Sequence, residues 1–254
     1  MMDKDLVARV FACIDNTTLS TTDTVESVEE FCRKTRGLIV ESGNSALHVA
    51  GVCVYPRFVK PAAAVLKGSG IRVVSVASDF PHGQADIATK KNDVAALVNN
   101  GADEVDVVIN RGLVLQGRYD ETAEEIRHQK SIIGARTLKV IIETCELGSK
   151  ELIEKASQIA IDGGADFIKT STGKGSAGAT LEAAEVMLKC IKENVKKGKK
   201  IIGFKAAGGI RKPEEALQYA ETAMQIMGEE YIVPQTFRIG ASSLTDSMYS
   251  LLTK

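Results

Sequence analysis

A (β/α)8 TIM barrel is the fold this chain predicts, and three observations predict it. Its 254 residues suit one such barrel, for which about 250 residues is typical. One rhythm repeats along the chain: an apolar β-branched run, a polar or glycine-bearing loop, an amphipathic helical stretch, a glycine, and the next run. The runs are apolar throughout, the pattern of parallel strands covered by helices. Eight can be drawn, at residues 12–15, 50–54, 72–77, 104–109, 138–143, 166–170, 201–206 and 236–240. Residues 1–254 read as one domain, since no linker or low-complexity segment interrupts them. A doubly wound open sheet is the competing architecture.

Taken in order, Leu6, Val7 and Val10 mark a short amphipathic helix. Residues 11–15 read as a brief strand ending in Asp15, with residues 16–19 as a loop. Residues 23–35 predict a helix with Val25, Val28 and Phe31 on one face and Thr22 or Asp23 as cap. The later helices are better marked. Ala184, Met187, Leu188, Ile191 and Val195 recur at helical spacing, as nearly do Ala216, Leu217, Ala220, Ala223, Met224 and Met227. Pro213 followed by Glu214 and Glu215 is a helix start. Asn-Gly-Ala-Asp at 100–103 and Gly-Gly-Ala-Asp at 163–166 form a weak repeat in which glycine ends a helix and a strand follows. The lysine-rich residues 196–200 fall at a helix end and read as a solvated turn.

With 32 Lys+Arg against 33 Asp+Glu and a formal net charge of -1, the chain has no nucleic-acid or membrane-surface signature. No apolar run approaches the roughly 18 residues of a spanning helix. Residues 1–5 lack the features of a signal peptide. A soluble, cytoplasmic protein is the expectation. The five cysteines are odd in number, widely spaced and without a C-x-x-C pair, so reduced thiols are expected. His48, His82 and His128 include no pair at helical ligand spacing, and no metal site is expected.

In a parallel barrel the chemistry sits at the C-terminal ends of the strands. Residues 165–175 begin as an apolar strand, carry Lys169 where an apolar residue belongs, and open into a small-residue loop. Lys205 occupies a matching place one strand later. Adjacent strands run about 4.8 Å apart, so the two amines can be neighbours. Burial and a like charge would push a lysine toward the roughly 7–8 useful in a nucleophile. The plainer reading is that both snorkel to the rim. Asp106, inside the apolar run 105–109, is costly to bury unless paired. It is either a structural ion pair or the proton shuttle that an imine-forming lysine needs. Asp15, Cys53, Tyr55, Asn110 and Glu143 fall toward the same face.

Three loops add an anion site: Thr172, Gly173 and Lys174; Gly208, Gly209 and Arg211; and Gly240, Ser242 and Ser243. Barrel phosphate sites use the loops after the last strands together with a helix N-terminus, and glycines let backbone N–H groups approach. Ser242 and Ser243 can donate to the anion while capping the last helix.

The segments 101–108, 139–144, 165–174 and 203–205 closely resemble the deoxyribose-phosphate aldolase family, and the likeness runs from about Asp15 to Ser243. That resemblance implies a TIM barrel and a class I, Schiff-base aldolase of deoxyribonucleoside catabolism, needing no metal or organic cofactor. The substrate implied is 2-deoxy-D-ribose 5-phosphate, cleaved to glyceraldehyde 3-phosphate and acetaldehyde. Lys169 matches the Schiff-base lysine, Lys205 the lysine that lowers its pKa, and Asp106 the acid of the proton relay. Asp15, Thr17 or Thr18, and Cys53 match pocket positions, and the three glycine loops match the phosphate site. Partners implied are the small sugar phosphate alone, with no nucleic acid or membrane; a homodimer is left open. Another Schiff-base sugar-phosphate aldolase, an isomerase of the same fold, and a barrel that only binds a sugar phosphate are the competing functions.

Three positions depart from the family pattern. Ala206 follows the second lysine where proline is common, Asp79 stands where asparagine is common, and the sequence stops at Lys254 without the tail that ends in tyrosine in some bacterial relatives.

Overall fold

The computed structural model describes residues 3–42 and 45–253. Met1, Met2, Gly43, Asn44 and Lys254 lie outside the described residues, and so do the extreme ends on which the leader and tail readings bear. Eight parallel strands close into a barrel: β1 (Ile14–Thr17), β2 (Gly51–Val54), β3 (Arg72–Ala77), β4 (Glu104–Val108), β5 (Thr137–Ile141), β6 (Phe167–Lys169), β7 (Gly203–Ala207) and β8 (Phe237–Ala241). Each pairs with the next, and β8 pairs back to β1 through Ile14 and Ile239, which rules out the open sheet. The helices are α1 (Lys4–Ala12), α2 (Val25–Gly37), α3 (Val59–Leu66), α4 (Ile87–Asn100), α5 (Arg111–Leu115), α6 (Tyr119–Ile133), α7 (Lys150–Asp162), α8 (Leu181–Lys196), α9 (Pro213–Met227) and α10 (Leu244–Thr253). Among the described residues none is long and apolar enough to cross a membrane.

All eight expected strands are present, with shifted ends. The largest correction is at β1, which starts at Ile14 because α1 continues through Phe11 and Ala12. Leu6, Val7, Val10 and Phe11 are all buried on that helix, so the apolar run read as strand is the end of a helical stripe. Asp15 therefore lies inside its strand. A second correction concerns α2: its cap is Thr24, whose hydroxyl accepts from Ser27 N while Ser27 Oγ accepts from Thr24 N. That capping box outcompetes Thr22 and Asp23. Asp23 instead accepts from the Thr18 hydroxyl and orders the loop after β1. A short antiparallel ribbon, Val40–Ser42 with Ser45–Leu47, was not expected; the Gly-Asn between its arms was its one sequence signal.

The Asn-Gly-Ala-Asp repeat has a tertiary reason beyond its glycine. Asp103, just before β4, accepts from Val73 N of β3 at 2.8 Å, and Asp166, just before β6, accepts from Leu138 N of β5 at 2.9 Å. Each aspartate stitches the strand it precedes to the strand before it. Lys199 and Lys200 in the basic turn pair with Asp162 and Asp166.

The main apolar core lies between the barrel's outer face and the helices. Inside the barrel, Cys53, Val74 and Val76 form a small apolar group covered by Leu19, Tyr55 and Phe80, and Val108, Ile141 and Phe167, buried two residues from Asp106, Lys139 and Lys169 on their strands, are apolar as well. Between these residues the middle of the interior is charged. That is unusual for a barrel core, which apolar branched side chains normally fill.

Candidate active site

Inward-facing positions on six strands carry seven ionisable side chains: Asp15, Glu104, Asp106, Lys139, Lys169, Lys205 and Arg238, none more than 4% exposed. Strand register brings them together. Lys169 lies opposite Lys205, Asp106 opposite Lys139, and Lys205 opposite Arg238. Asp15 lies between Gly51 and Gly240, which leave room at its sides. A Cβ at Gly240 would come within 3.0 Å of Lys205 Cε, so the absent side chain is what lets Lys205 extend toward Asp15.

Lys169 Nζ donates to Asp106 Oδ2 at 2.8 Å, and Lys205 Nζ donates to the same oxygen at 2.8 Å. Lys205 also reaches Asp15 Oδ2 at 2.5 Å. Lys139, on β5, donates to Asp106 Oδ1 at 3.0 Å and pairs with Glu104 at 2.5 Å. Neither Lys169 nor Lys205 snorkels to solvent. Lys139, Glu104 and Arg238 were not singled out in the sequence, though Lys139 and Arg238 are each a lone charge in an apolar strand, the signal that drew attention to Lys169, and Glu104 stands two residues before Asp106 on the same strand.

The lysines do not titrate alike. Burial disfavours the charged form of all three. For Lys205 the carboxylates of Asp106 and Asp15 outweigh burial and raise the pKa above the ordinary lysine value. For Lys139 the carboxylates of Asp106, Glu104 and Asp15 do the same. For Lys169 burial prevails: Asp106 opposes it, Lys205 reinforces it, and the pKa stays lowered. Burial would raise Asp106, but the ammonium groups of Lys139, Lys169 and Lys205 hold it well below the usual carboxylate range. Lys169 is thus the amine most ready to act as a base or nucleophile.

Above this cluster a cavity of about 420 Å³ opens at the C-terminal ends of the strands. Of the seven buried ionisable residues, Lys169 alone lines it. Thr17, Thr18, Thr172, Gly173, Lys174, Gly208, Gly209, Arg211, Gly240 and Ser242 also line it, so the three loops converge as expected. They pack backbone against backbone. Gly208 has φ 86°, and a Cβ on Gly178 would fall 2.1 Å from the Gly208 carbonyl oxygen. Glu143, also buried, accepts from Thr172 N and from the Thr172 hydroxyl, which in turn accepts from Lys174 N, and so fixes the loop after β6. A larger cavity of about 660 Å³ lies at the opposite, N-terminal end of the barrel. Its greater size does not make it the reaction site, because neither Lys169 nor the three glycine loops reach it.

The remaining candidates are placed differently. Asp15 is fully buried beneath the cavity, with its oxygens taken by Lys205 and Arg238. Ser243 is exposed beside Ser242 and outside the cavity lining. Cys53 is buried behind the lining, and burial, with Asp106 near, pushes its thiol up to about 11. A thiol so held is no nucleophile at neutral pH, so Cys53→Ser is expected to retain cleavage activity in a steady-state assay; complete loss would contradict this. Asp79 accepts from Gln84 N within its own loop, and Tyr249 lies in α10 against Phe11, with ring centroids 6.3 Å apart.

A closed parallel barrel with a buried amine at its C-terminal mouth and glycine loops around that amine defines a barrel enzyme that works on an anionic carbonyl substrate. The DeoC/LacD family aldolase model matches residues 9–248. The chain belongs to the DeoC/LacD family of aldolases, and it is a carbon–carbon lyase. It is 43% identical over 240 residues to the human deoxyribose-phosphate aldolase, covering 91% of this chain and 76% of that protein. Among solved structures it resembles the aldolase QR15, with TM-score 0.80 and 32% identity over 96% of both chains. It also resembles the tetrameric deoxyribose phosphate aldolase of Aeropyrum pernix, with TM-score 0.73 and 25% identity over 98% of this chain and 91% of that one.

Proposed function

We propose that this enzyme reversibly cleaves 2-deoxy-D-ribose 5-phosphate to glyceraldehyde 3-phosphate and acetaldehyde through a Schiff base on Lys169. The observation that carries the reading is Lys169 itself: the one cavity-lining member of the buried cluster, with a lowered pKa and Asp106 at 2.8 Å. The shared activity of the human relative supports the substrate.

In this mechanism the free amine of Lys169 attacks C1 of the open-chain sugar. The carbinolamine loses its hydroxyl as water with a proton supplied through Asp106, leaving an iminium. Removal of the C3 hydroxyl proton breaks the C2–C3 bond, and the electron pair moves into the iminium to give an enamine as glyceraldehyde 3-phosphate leaves. Protonation at C2 and hydrolysis release acetaldehyde and regenerate the amine. Asp106 is placed to pass the protons because its carboxylate contacts the Lys169 amine and, at the same time, the ammonium groups of Lys139 and Lys205. The phosphate is assigned to Gly173, Lys174, Gly208, Gly209, Arg211 and Ser242, a reading supported by their convergence on one cavity, with Ser243 included as the next residue of the last loop.

The family match over residues 9–248 supports one aldolase domain. Self-association belongs to the same reading, with a homodimer as its smallest form, and the tetrameric Aeropyrum pernix relative supports it. A cytoplasmic location is supported by five free cysteines.

Borohydride reduction in the presence of acetaldehyde, followed by peptide mass mapping, tests the assignment. A two-carbon adduct on Lys169 is expected. Adduct on Lys205 or Lys139, or no adduct, would overturn it.

A further inference from the structure

We propose that Arg238 and Glu104, on the side of the cluster away from the substrate cavity, are positioning residues that set the protonation of Lys169 by completing a closed, neutral ring of charges. Asp15 Oδ1 accepts from Arg238 Nη1 at 2.5 Å, and Arg238 Nη2 donates to Glu104 Oε1 at 2.8 Å. Glu104 Oε2 pairs with Lys139 at 2.5 Å, and Lys139 donates to Asp106 Oδ1 at 3.0 Å. Asp106 Oδ2 accepts from Lys205 at 2.8 Å, and Lys205 returns to Asp15 Oδ2 at 2.5 Å. Three acids and three bases alternate, each base bridges two carboxylates, and the ring has no net charge.

Lys169 stands outside this ring. It has one carboxylate partner, Asp106, whose two oxygens are already engaged by Lys139 and Lys205. Protonating Lys169 would leave one uncompensated positive charge among seven buried groups, a costly state in a poorly solvated interior. Glu143, buried at the end of the adjacent strand, spends its carboxylate on Thr172 and makes no ion pair with Lys169. Cys53 faces Lys169 as a neutral thiol, and Lys174 and Arg211, which line the same cavity, would add positive charge. Arg238 and Glu104 touch neither the amine nor its cavity; both line the cavity at the other end of the barrel. Their influence on Lys169 is through the charge of the ring alone.

The proposal rests on Lys169 as the Schiff-base lysine, and the two can be tested apart. The acid limb of the kcat/KM profile for 2-deoxyribose 5-phosphate cleavage would be measured for wild type, Arg238→Met, Arg238→Lys, Glu104→Gln and the Arg238→Met/Glu104→Gln double variant. Borohydride trapping and thermal unfolding would be run on each. Arg238→Met leaves the ring at -1, so Lys169 keeps its proton to higher pH and the limb rises, by on the order of one pH unit. Glu104→Gln leaves the ring at +1 and the limb falls by a similar amount. Arg238→Lys keeps the charge and the wild-type limb. The double variant restores neutrality, so its limb returns toward wild type although two contacts are gone. A purely structural role would lower stability in all four variants without opposite shifts. Unmoved limbs, or single variants shifting the same way, overturn the proposal. If Arg238→Met does not fold, the near-isosteric Glu104→Gln decides: a fall supports the ring, no shift or a rise overturns it. Loss of the Lys169 adduct in wild type overturns the Schiff-base reading and the ring proposal together; an intact adduct with unmoved limbs overturns the ring alone.

Discussion

Lys169→Leu is expected to reduce kcat/KM for the aldol cleavage by on the order of 10⁴-fold or more, the scale of losses when a covalent nucleophile is removed. It is also expected to leave the fold intact. Those two outcomes together distinguish a nucleophile from a structural cation. The six other buried charges form a complete ring without Lys169. Leucine at 169 therefore exposes no unpaired carboxylate, because Asp106 keeps Lys139 and Lys205, and the cost of breaking a buried pair, which comes from the charge left uncompensated, does not arise. Thermal unfolding should show a midpoint no lower than that of wild type by more than a few degrees. Lys139→Leu, by contrast, would strip Glu104 and Asp106 of their shared cation. If Lys169→Leu melted as early as Lys139→Leu, Lys169 would be a load-sharing member of the ion cluster and its readiness to lose a proton would be in question.

Asp106→Asn is expected to damage both activity and stability. Its carboxylate contacts Lys139, Lys169 and Lys205 at once, at 3.0, 2.8 and 2.8 Å. Removing one partner from a buried ion pair costs about 3–5 kcal/mol. For a chain of this size that lowers the unfolding midpoint by roughly 6–20 °C. Asparagine can neither deliver nor accept the protons of carbinolamine dehydration and carbon–carbon cleavage, so kcat should fall by about 10²–10⁴-fold. Single-turnover assays below the new unfolding temperature separate the two losses. A folded Asp106→Asn enzyme with near-native kcat would show that the carboxylate serves structure alone and that protons travel by another route.

The two competing readings of Asp106 in the sequence, ion pair and proton shuttle, meet in one geometry, because the same oxygen that pairs with Lys205 also accepts from Lys169. No reading of residues 105–109 by themselves could separate them. The β1 segment shows a different limit. Its apolar residues suit both the end of α1 and the start of a strand, and helix packing decided for Phe11 and Ala12. Asp15 thereby moved from a strand end facing substrate to a buried strand position beneath Lys205. Glu104 and Arg238 went unmarked because they stand near the starts of their strands, away from the C-terminal ends where barrel chemistry is sought; Lys139 stands mid-strand in register with Asp106 and carried the same signal as Lys205.

The chain's own sequence determined eight strand–helix units, three glycine loops and two lysines on consecutive strands. Apolar periodicity and backbone freedom are local properties, and a few neighbouring residues suffice to express them. Only the tertiary structure decided which of the buried cations lacks compensation. Charge balance in a low-dielectric interior is a sum over every group brought near, and here that sum runs over residues 15, 104, 106, 139, 169, 205 and 238, which meet only when β8 closes on β1.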